Sequence, residues 1–184
     1  MAAGDLTTLA NVKTWLGVTT TTDDAVLARL ISAASGFIQT WLNRTIGLNA
    51  YSEVRNGPGG TRLVFANPPV TAVSGVTVDG VAIPAATGSD DAGYLFDSRI
   101  LYLRGHRFGP GVQNVSISYT AGYAVVPPEI EQAAIELVAL RYRERDRTGY
   151  SSRSLSGESA AFVAKDLPPD VQTVLGKYQK VVPI

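Results

Sequence analysis

The chain has 184 residues, of which 45% are apolar and 17% charged, and it contains no cysteine. A chain of this length and composition can bury a proper core, so it is predicted to be globular rather than disordered. The missing cysteine excludes disulfides, thiolate zinc sites and cysteine nucleophiles. Sixteen basic residues balance sixteen acidic ones, which gives no support to tight nucleic-acid binding through a basic surface.

The first residues, "MAAGDLTTLANVKTWL", lack the basic segment and the apolar run of a signal peptide. The chain also has no apolar stretch long enough to cross a bilayer as a helix. We therefore expect a protein that is made and kept in a cytosol and has no membrane partner.

Two helices are predicted before the pattern changes near residue 48. The first spans Thr8 to Leu16, with Thr7 or Thr8 as its N-cap and Gly17 at its end. The second is predicted from about Asp24 to Arg44. Its apolar stripe is wide enough to touch more than one neighbour. The centre of that stripe consists of Leu27, Ile31, Ala34, Ile38 and Trp41.

From about Asn49 to Val126 the apolar residues recur with a period of two, which is typical of strands. "VSISY" alternates as a half-buried strand does, and Asp79-Gly80 suits a type I′ turn between two strands. "GPGGT" is predicted to be a hairpin turn, because the following "TRLVF" has the pattern of a strand. We expect about six short strands in a small antiparallel sandwich or open barrel.

The helical period returns from about Pro128 to Arg147, and a last helix is predicted to start near Pro168. Between them, Thr148 to Ala161 is rich in small polar residues and predicts a flexible tether. The order of elements indicates a β insertion between two antiparallel helices. The predicted fold class is α+β, a small helical bundle with an inserted antiparallel β sandwich or open barrel. The predicted domains are helical over 1–48 and 127–184 and β over 49–126.

Candidate catalytic residues are few. The single histidine, His106, lies in a predicted loop and has no partner at a motif spacing. The pairs Asp23-Asp24 and Asp90-Asp91 are interpreted as a helix start and a solvated loop. The insertion's Glu53, Asp79 and Asp97 show no pattern of paired carboxylates. We expect no enzyme activity, no metal and no cofactor.

The end of the third helix, "RYRERDR", carries four arginines that are two positions apart. Residues at this spacing point in different directions on a helix, so they do not form one tight patch. A solvated helix end, favoured by the helix dipole, is the first interpretation. Ion pairs between subunits, or a surface that faces DNA in a channel, are the alternatives. The residues concerned are Arg141, Arg143, Arg145 and Arg147.

Four phrases in a fixed order resemble a known family: "LTTLANVKTWLGV", "DDAVLARLISAASGFIQTWLNRTI", "NPPVTAVSGVTVDG" and "VSISYTAGYAVVPPEIEQAAIELVALRY". Together they are similar to the head–tail connector (adaptor) proteins of long-tailed bacteriophages. The likeness is to the longer subgroup with a β insertion between its helices, and it covers nearly the whole chain.

The resemblance implies a structural virion protein of the phage neck, assembled in the host bacterial cytoplasm. Family members form a ring with themselves, usually twelve-fold, beneath the portal protein. The ring extends the channel through which double-stranded DNA passes without sequence-specific binding, and it offers a platform to the next neck or tail protein.

Family members generally dock on the portal through C-terminal segments, and the matching segment here runs from Lys165 to Ile184. The resemblance therefore implies that the apolar face of the last helix contacts the portal or a neighbouring subunit. Packing of this helix onto its own bundle remains the alternative. The apolar face consists of Val171, Val174, Leu175 and Tyr178.

Two other functions stay open at this point. One is a different neck or tail component, such as a stopper or tail completion protein, which forms a ring without affinity for the portal. The other is a cell-wall-binding or hydrolytic role for the β insertion. The latter needs a pair of carboxylates in a cleft.

Overall fold

A computed structural model describes residues 4–145, 152–155, 158–161, 167 and 169–180. The chain divides into two compact units, a helical one over Met1–Arg44 and Val126–Ile184 and a β one over Thr45–Val125. The helices are α1 (Leu9–Leu16), α2 (Asp24–Trp41), α3 (Pro128–Glu144) and α4 (Pro169–Gly176). The strands are β1 (Asn49–Gly57), β2 (Arg62–Val64), β3 (Val70–Val78), β4 (Val81–Ile83), β5 (Gly93–Phe96), β6 (Ile100–Arg104), β7 (Gly111–Ala121), β8 (Ser152–Leu155) and β9 (Glu158–Ala161).

In the helical unit, α3 contacts α1, α2 and α4. Seven of its seventeen residues are buried, and they lie on more than one face because the helix has neighbours on several sides. The start of α2 meets the end of α3, where the Tyr142 hydroxyl donates to Asp23. Four residues of the predicted stripe are buried in the core, together with Ser35, whereas the fifth, Trp41, is only half-buried at the end of the helix. The buried residues of α2 are Leu27, Ile31, Ala34, Ser35 and Ile38.

Two helix ends have clear local causes. Gly17 adopts a left-handed backbone (φ 69°), and the next amide, that of Val18, bonds back to the Lys13 carbonyl. Asn43 does the same after α2 (φ 53°), with the Arg44 amide bonded to the Gln39 carbonyl. Both are Schellman ends. The second explains why α2 stops at Trp41, three residues before the predicted end.

The β unit contains a four-stranded sheet in the order β1-β7-β3-β4 and a three-stranded sheet in the order β2-β6-β5. All pairings within them are antiparallel. Within the described residues neither sheet closes on itself, so there is no barrel. Buried side chains of both sheets form one cluster, as in a sandwich. The predicted α+β class with an antiparallel insertion is confirmed.

The insertion leaves the helical unit and returns to it at neighbouring points. Asn49 pairs with Ala121, and just outside the strands Gly47 forms a bridge with Tyr123. The Asp79-Gly80 turn also forms as predicted, with positive φ at both residues between β3 and β4.

Two predictions about local structure were wrong. "GPGGT" does not close a hairpin, because β1 pairs with β7 and β2 pairs with β6. The segment instead carries the chain from one sheet to the other. The predicted tether, Thr148 to Ala161, contains the antiparallel pair β8 and β9, with Ser152 opposite Ala161. The first error concerns pairing partners, which alternation along one strand does not specify. The second arose because a composition rich in small polar residues was interpreted as a tether, although part of the segment pairs as two strands.

Candidate assembly surface

Helix α4 packs on its own chain. Val171 is 3% exposed and Leu175 is fully buried, and Leu167 just before the helix is 2% exposed. Val174 and Tyr178, the other two residues of the predicted contact face, are half-buried. In the structure, α4 therefore packs on its own helical bundle, which is the alternative interpretation of its apolar face. A portal or neighbour contact through Val171 or Leu175 would require α4 to leave this position.

Polar contacts hold the end of α4 against α2 and α3. The Tyr178 hydroxyl donates to Glu129 at 2.9 Å. The Lys180 amide donates to the Leu42 carbonyl at 2.9 Å, and the Gln179 side chain reaches the Trp41 carbonyl at 3.3 Å. The bonds from Lys180 and Gln179 satisfy carbonyls at the end of α2 that have no partner inside the helix.

Beside α4, an open groove of about 290 Å³ lies between α3 and α4. Its apolar part comes from Ala133, Val171 and Val174, and its polar part comes from α3. The polar residues that line it are Glu129, Gln132 and Glu136. The groove combines an apolar floor with two carboxylates, and such a surface suits a partner that has both an apolar stem and a positive charge.

One face of α3 carries charges of opposite sign at its two ends. Glu129, Glu136 and Arg143 are seven positions apart, and seven residues are nearly two full turns, so the three lie on one face. Glu129 and Arg143 are exposed and Glu136 is half-buried. The face is therefore acidic along the groove and basic at the end of the helix.

The four predicted arginines do not act alike. Arg141 is half-buried, with its guanidinium 5.1 Å from the centre of the Phe37 ring. Arg145 makes an ion pair with Asp23 at 3.4 Å and lies over the Tyr142 ring at 4.2 Å. Arg143 is exposed. Arg147 lies outside the described residues.

Asp23 joins the start of α2 to the end of α3. It stands at the N-cap position of α2, yet its side chain makes no capping bond. Its carboxylate accepts the Tyr142 hydroxyl at 2.5 Å and faces Arg145. The hydrogen bond from Tyr142 is the largest cause that lowers the pKa of Asp23, and Arg145 lowers it further. The same bond raises the pKa of Tyr142.

The β unit has a polar network at the edge of its core. Glu53 accepts hydrogen bonds from the Tyr119 hydroxyl, from Asn67 at 3.0 Å and from Arg55 at 3.2 Å. Tyr119 also packs against the rings of Tyr51 and Phe65. Burial raises the pKa of Tyr119 well above its ordinary value, and the bond to Glu53 raises it further. The network joins β1 to β7 and to the residues between β2 and β3.

The other candidate catalytic groups have local structural roles. Asp79 accepts from the Asn114 side chain at 2.8 Å, and Asp97 accepts from the amides of Arg99 and Ile100. His106 lies in the loop between β6 and β7, as predicted. Among the described residues no cluster of histidine, aspartate and glutamate could hold a metal ion. No helix in that part of the chain combines the length and apolar character that a bilayer crossing needs.

Sequence reasoning did not predict that Glu129 and Glu136 line a groove. Their seven-residue spacing can be read from the sequence, but the position of α4 beside them cannot. These features together define a helical unit with an open groove beside α4 and an inserted β sandwich.

The comparisons with known proteins agree with this class. A family model described as "Head completion protein" matches residues 5–181. The chain therefore belongs to the head completion protein family, and the predicted resemblance to phage connector proteins is confirmed. A search of the curated proteins gives no match.

Several solved structures share the fold. A protein in the neck of an empty gene transfer agent (GTA) particle, computed with C6 symmetry, gives a TM-score of 0.57 at 20% identity. A protein in the neck of the native GTA particle, computed with C12 symmetry, gives 0.56 at 21% identity. A protein in the virion of the native GTA particle gives 0.58 at 21% identity. Each comparison covers 96% of this chain and 90% of the other.

Proposed function

We propose that this protein is a head–tail adaptor, a structural protein that forms a ring in the neck of a phage particle. The ring sits under the portal protein, extends the DNA channel towards the tail and presents a platform to the next neck or tail protein. The single observation that carries this proposal is the match to the head completion protein family over residues 5–181. The likeness in fold to neck proteins of symmetric GTA particles supports it.

The number of subunits is proposed to be twelve. A neck that contains a protein of similar fold was computed with C12 symmetry, which supports this number. A closed ring of identical subunits is a common form of homo-oligomer. Assembly takes place in the host bacterial cytoplasm before the particle is complete. The two compact units are proposed to be a helical connector domain and an inserted β domain.

DNA can pass through the ring only if the channel does not bind it tightly. The equal numbers of acidic and basic residues support this role, because each phosphate that a basic residue neutralises adds to binding. We propose that DNA passes through the ring without sequence-specific contacts.

We propose that the portal or a neighbouring subunit contacts the outer side of α4, including the half-buried Val174 and Tyr178. The buried Val171 and Leu175 hold α4 in place for that contact. Of the predicted arginines within the described residues, Arg143 has neither the aromatic contact nor the ion pair given above for Arg141 and Arg145. It is proposed as an intersubunit or channel charge.

Mass measurement with the portal protein of the same particle tests the proposal. Purified chain is mixed with the portal oligomer, and the complex is weighed by native mass spectrometry. An adaptor adds about twelve subunits to the portal, as a closed ring on a ring requires. A stopper or tail completion protein gives no complex with the portal alone, and that result would reject the adaptor role.

The hydrolytic alternative has little support. Glu53, Asp79 and Asp97 each have partners that explain them structurally, and a glycosidase needs two carboxylates across a cleft. Incubation of the pure protein with peptidoglycan, followed by analysis of released fragments, checks this point directly. We expect no fragments above those released by buffer.

A further inference from the structure

We propose that the hairpin formed by β8 and β9 adds to the outer strand β1 of a second copy of this chain. In this arrangement β9 lies antiparallel beside β1 of the neighbour, with Glu158 opposite Arg55. The inference rests on the proposed function, because it takes ring formation as given and names one contact through which neighbouring subunits join.

Strand β1 is the outer strand of the four-stranded sheet. It is nine residues long and pairs with β7 on one side, and the described residues contain no strand on its other side. Proteins usually protect a long edge strand with charges, prolines or bulges. The residues of β1 on the outer face of the sheet carry no charge, and all are exposed: Ala50, Ser52, Val54 and Asn56. The strand therefore offers a backbone edge to which another strand can pair.

The hairpin is the matching half of such a contact. Strands β8 and β9 form a separate two-stranded sheet, in which Ser152 is opposite Ala161 and Leu155 is opposite Glu158. In the part of the chain that the structure describes, neither strand pairs with a third one. A two-stranded hairpin has little stability by itself in water and gains it from further strands or from packing. Addition to β1 would provide a third strand.

One face of the hairpin matches the outer face of the four-stranded sheet. The register of β8 and β9 puts only small uncharged residues on that face: Ser152, Ser154, Ser159 and Ala161. The outer face of the sheet at β1 and β7 is also uncharged, and it includes Ser52, Val54, Ser116 and Ser118. With β9 beside β1, the two faces continue each other.

Charge selects the register of β9 on β1. When Glu158 lies opposite Arg55, Ser159 lies opposite Val54 on the uncharged face. The Arg55 side chain is 38% exposed. It donates to Glu53 through one nitrogen, and a guanidinium has further N–H groups to give. A shift of two residues would put Glu158 opposite Glu53, and like charges at opposite positions destabilise adjacent strands.

The other strand of the hairpin fits β1 less well. On the same uncharged face, β8 would put Arg153 opposite Glu53. The Glu53 side chain is only 15% exposed, and its carboxylate already accepts hydrogen bonds from Tyr119, Asn67 and Arg55. The observations therefore favour β9 as the strand that pairs with β1.

This contact can repeat around a closed ring, because its two halves are different elements of the chain. The hairpin belongs to the helical unit and β1 to the β unit. Each subunit gives its hairpin to one neighbour and receives a hairpin from the other, which is the head-to-tail contact that a ring needs. Residues 146–151 connect Arg145 to the hairpin. Such a segment spans at most about 20 Å, which limits how far from α3 the neighbour's β1 can lie.

Disulfide formation tests the inference, because the chain has no cysteine of its own. A tagged Val54→Cys chain is mixed with an untagged Ser159→Cys chain and the portal oligomer, and the mixture is oxidised mildly. Opposite residues of adjacent strands have Cβ atoms about 4.5–5.5 Å apart, close to the spacing within a disulfide. Val54 is 58% exposed, so its replacement leaves the core intact. Because each chain has one cysteine, a tagged–untagged dimer requires two subunits.

The matched control replaces Ser159→Cys by Ser152→Cys. Ser152 lies on the same face of the hairpin but on β8, one strand further from β1 and so about 10 Å away. We expect about tenfold more tagged–untagged dimer with Ser159→Cys than with the control, because neighbouring subunits hold the first pair of thiols at a high effective concentration.

The masses of the unoxidised mixtures, measured in parallel by native mass spectrometry, separate the two proposals. Ring-sized assemblies on the portal without the expected excess of dimer would overturn the interface and leave the proposed function standing. An excess with Ser152→Cys instead would mean that β8 pairs with β1 and would overturn the arrangement. A chain with both Val54→Cys and Ser159→Cys that forms mostly an internal disulfide would show that the hairpin covers its own subunit, and it would overturn the inference too. An unchanged portal mass would reject both the interface and the ring.

Discussion

The β unit and the helical unit use their side chains in different ways. Both sheets of the sandwich contribute to one buried cluster, and the hydroxyl of the buried Tyr119 has its partners inside the same unit. The helical unit leaves an open groove beside α4, a face of α3 with opposite charges at its ends, and an exposed arginine. The comparison teaches that the sandwich satisfies its buried side chains within itself, whereas the helical unit leaves an open surface, which we propose for assembly.

The largest expected effect lies in the sandwich. Phe108 is fully buried, so Phe108→Ala should lower the free energy of unfolding of the β unit by about 3–5 kcal/mol. Thermal melting followed by circular dichroism measures the change, and an unchanged helical transition would indicate that the two units fold separately.

The matched control is Phe96→Ala, because Phe96 is 39% exposed. A loss below about 1 kcal/mol is expected there. Equal losses for the two variants would mean that the sandwich has no distinct core around Phe108, and the contrast between the units would fail.

The second effect concerns α4. Leu175 is fully buried, and Leu175→Ala should cost the helical unit about 2–3 kcal/mol, in the lower part of the range because the eight-residue helix can shift to close the gap. Val174→Ala, at a half-buried position, should cost less. Chemical denaturation measures the free energy of unfolding of both variants. A loss for Leu175→Ala no larger than for Val174→Ala would show that α4 does not pack on its own bundle in solution.

The third effect concerns pH and is confined to the sandwich. The pKa of Tyr119 is raised by burial and by Glu53, so the folded protein keeps this proton when the unfolded chain loses it above about pH 10. Its contribution to stability is present below that pH and is lost as the pH rises further. Tyr119→Phe should therefore lose less stability than the wild type between neutral and strongly alkaline pH.

Urea midpoints at several alkaline pH values measure this difference. Tyr51→Phe is the control, since Tyr51 stacks on Tyr119 at 5.5 Å but does not donate to Glu53 in the network described above. Identical alkaline profiles for the wild type and Tyr119→Phe would contradict the role given to burial.

The smallest effect is expected at the junction of α2 and α3. The pKa of Asp23 is lowered, first by the bond from Tyr142 and then by Arg145, so its contribution is present above about pH 4 and is lost as the pH falls below that value. Asp23→Asn should flatten the acid side of the stability profile, and Tyr142→Phe should do so in part. Asp90→Asn, at an exposed loop position, is the control and should have the acid profile of the wild type. A wild-type acid profile for Asp23→Asn would contradict a stabilising role for the contacts of Asp23 with Tyr142 and Arg145.

Much of the fold could be predicted from the sequence, because local patterns have local causes. The stripe of α2, the Gly17 end of α1 and the Asp79-Gly80 turn each depend on residues close in the chain. The end of α2 was placed too late because Asn43 was not recognised as a residue that adopts a left-handed backbone. The connection across "GPGGT" was missed because pairing is set by the partner strands, which lie far away in the chain.

The candidate surface was harder to predict for the same reason. The apolar spacing of Val171, Val174, Leu175 and Tyr178 indicates a helix with one face to cover, but it does not say which surface covers it. Two arginines near the end of α3, Arg141 and Arg145, contact Phe37 and Asp23, which lie more than a hundred residues earlier in the chain. The groove exists because α4 lies beside Glu129 and Glu136, and this arrangement is a property of packing.

The central claim is that this protein is a head–tail adaptor that forms a ring on the portal, and mass photometry tests it most directly. The mass of the portal oligomer is measured with and without the chain, and the chain alone serves as the control. The account predicts that the portal gains the mass of about twelve subunits. A portal mass that the chain leaves unchanged would contradict it.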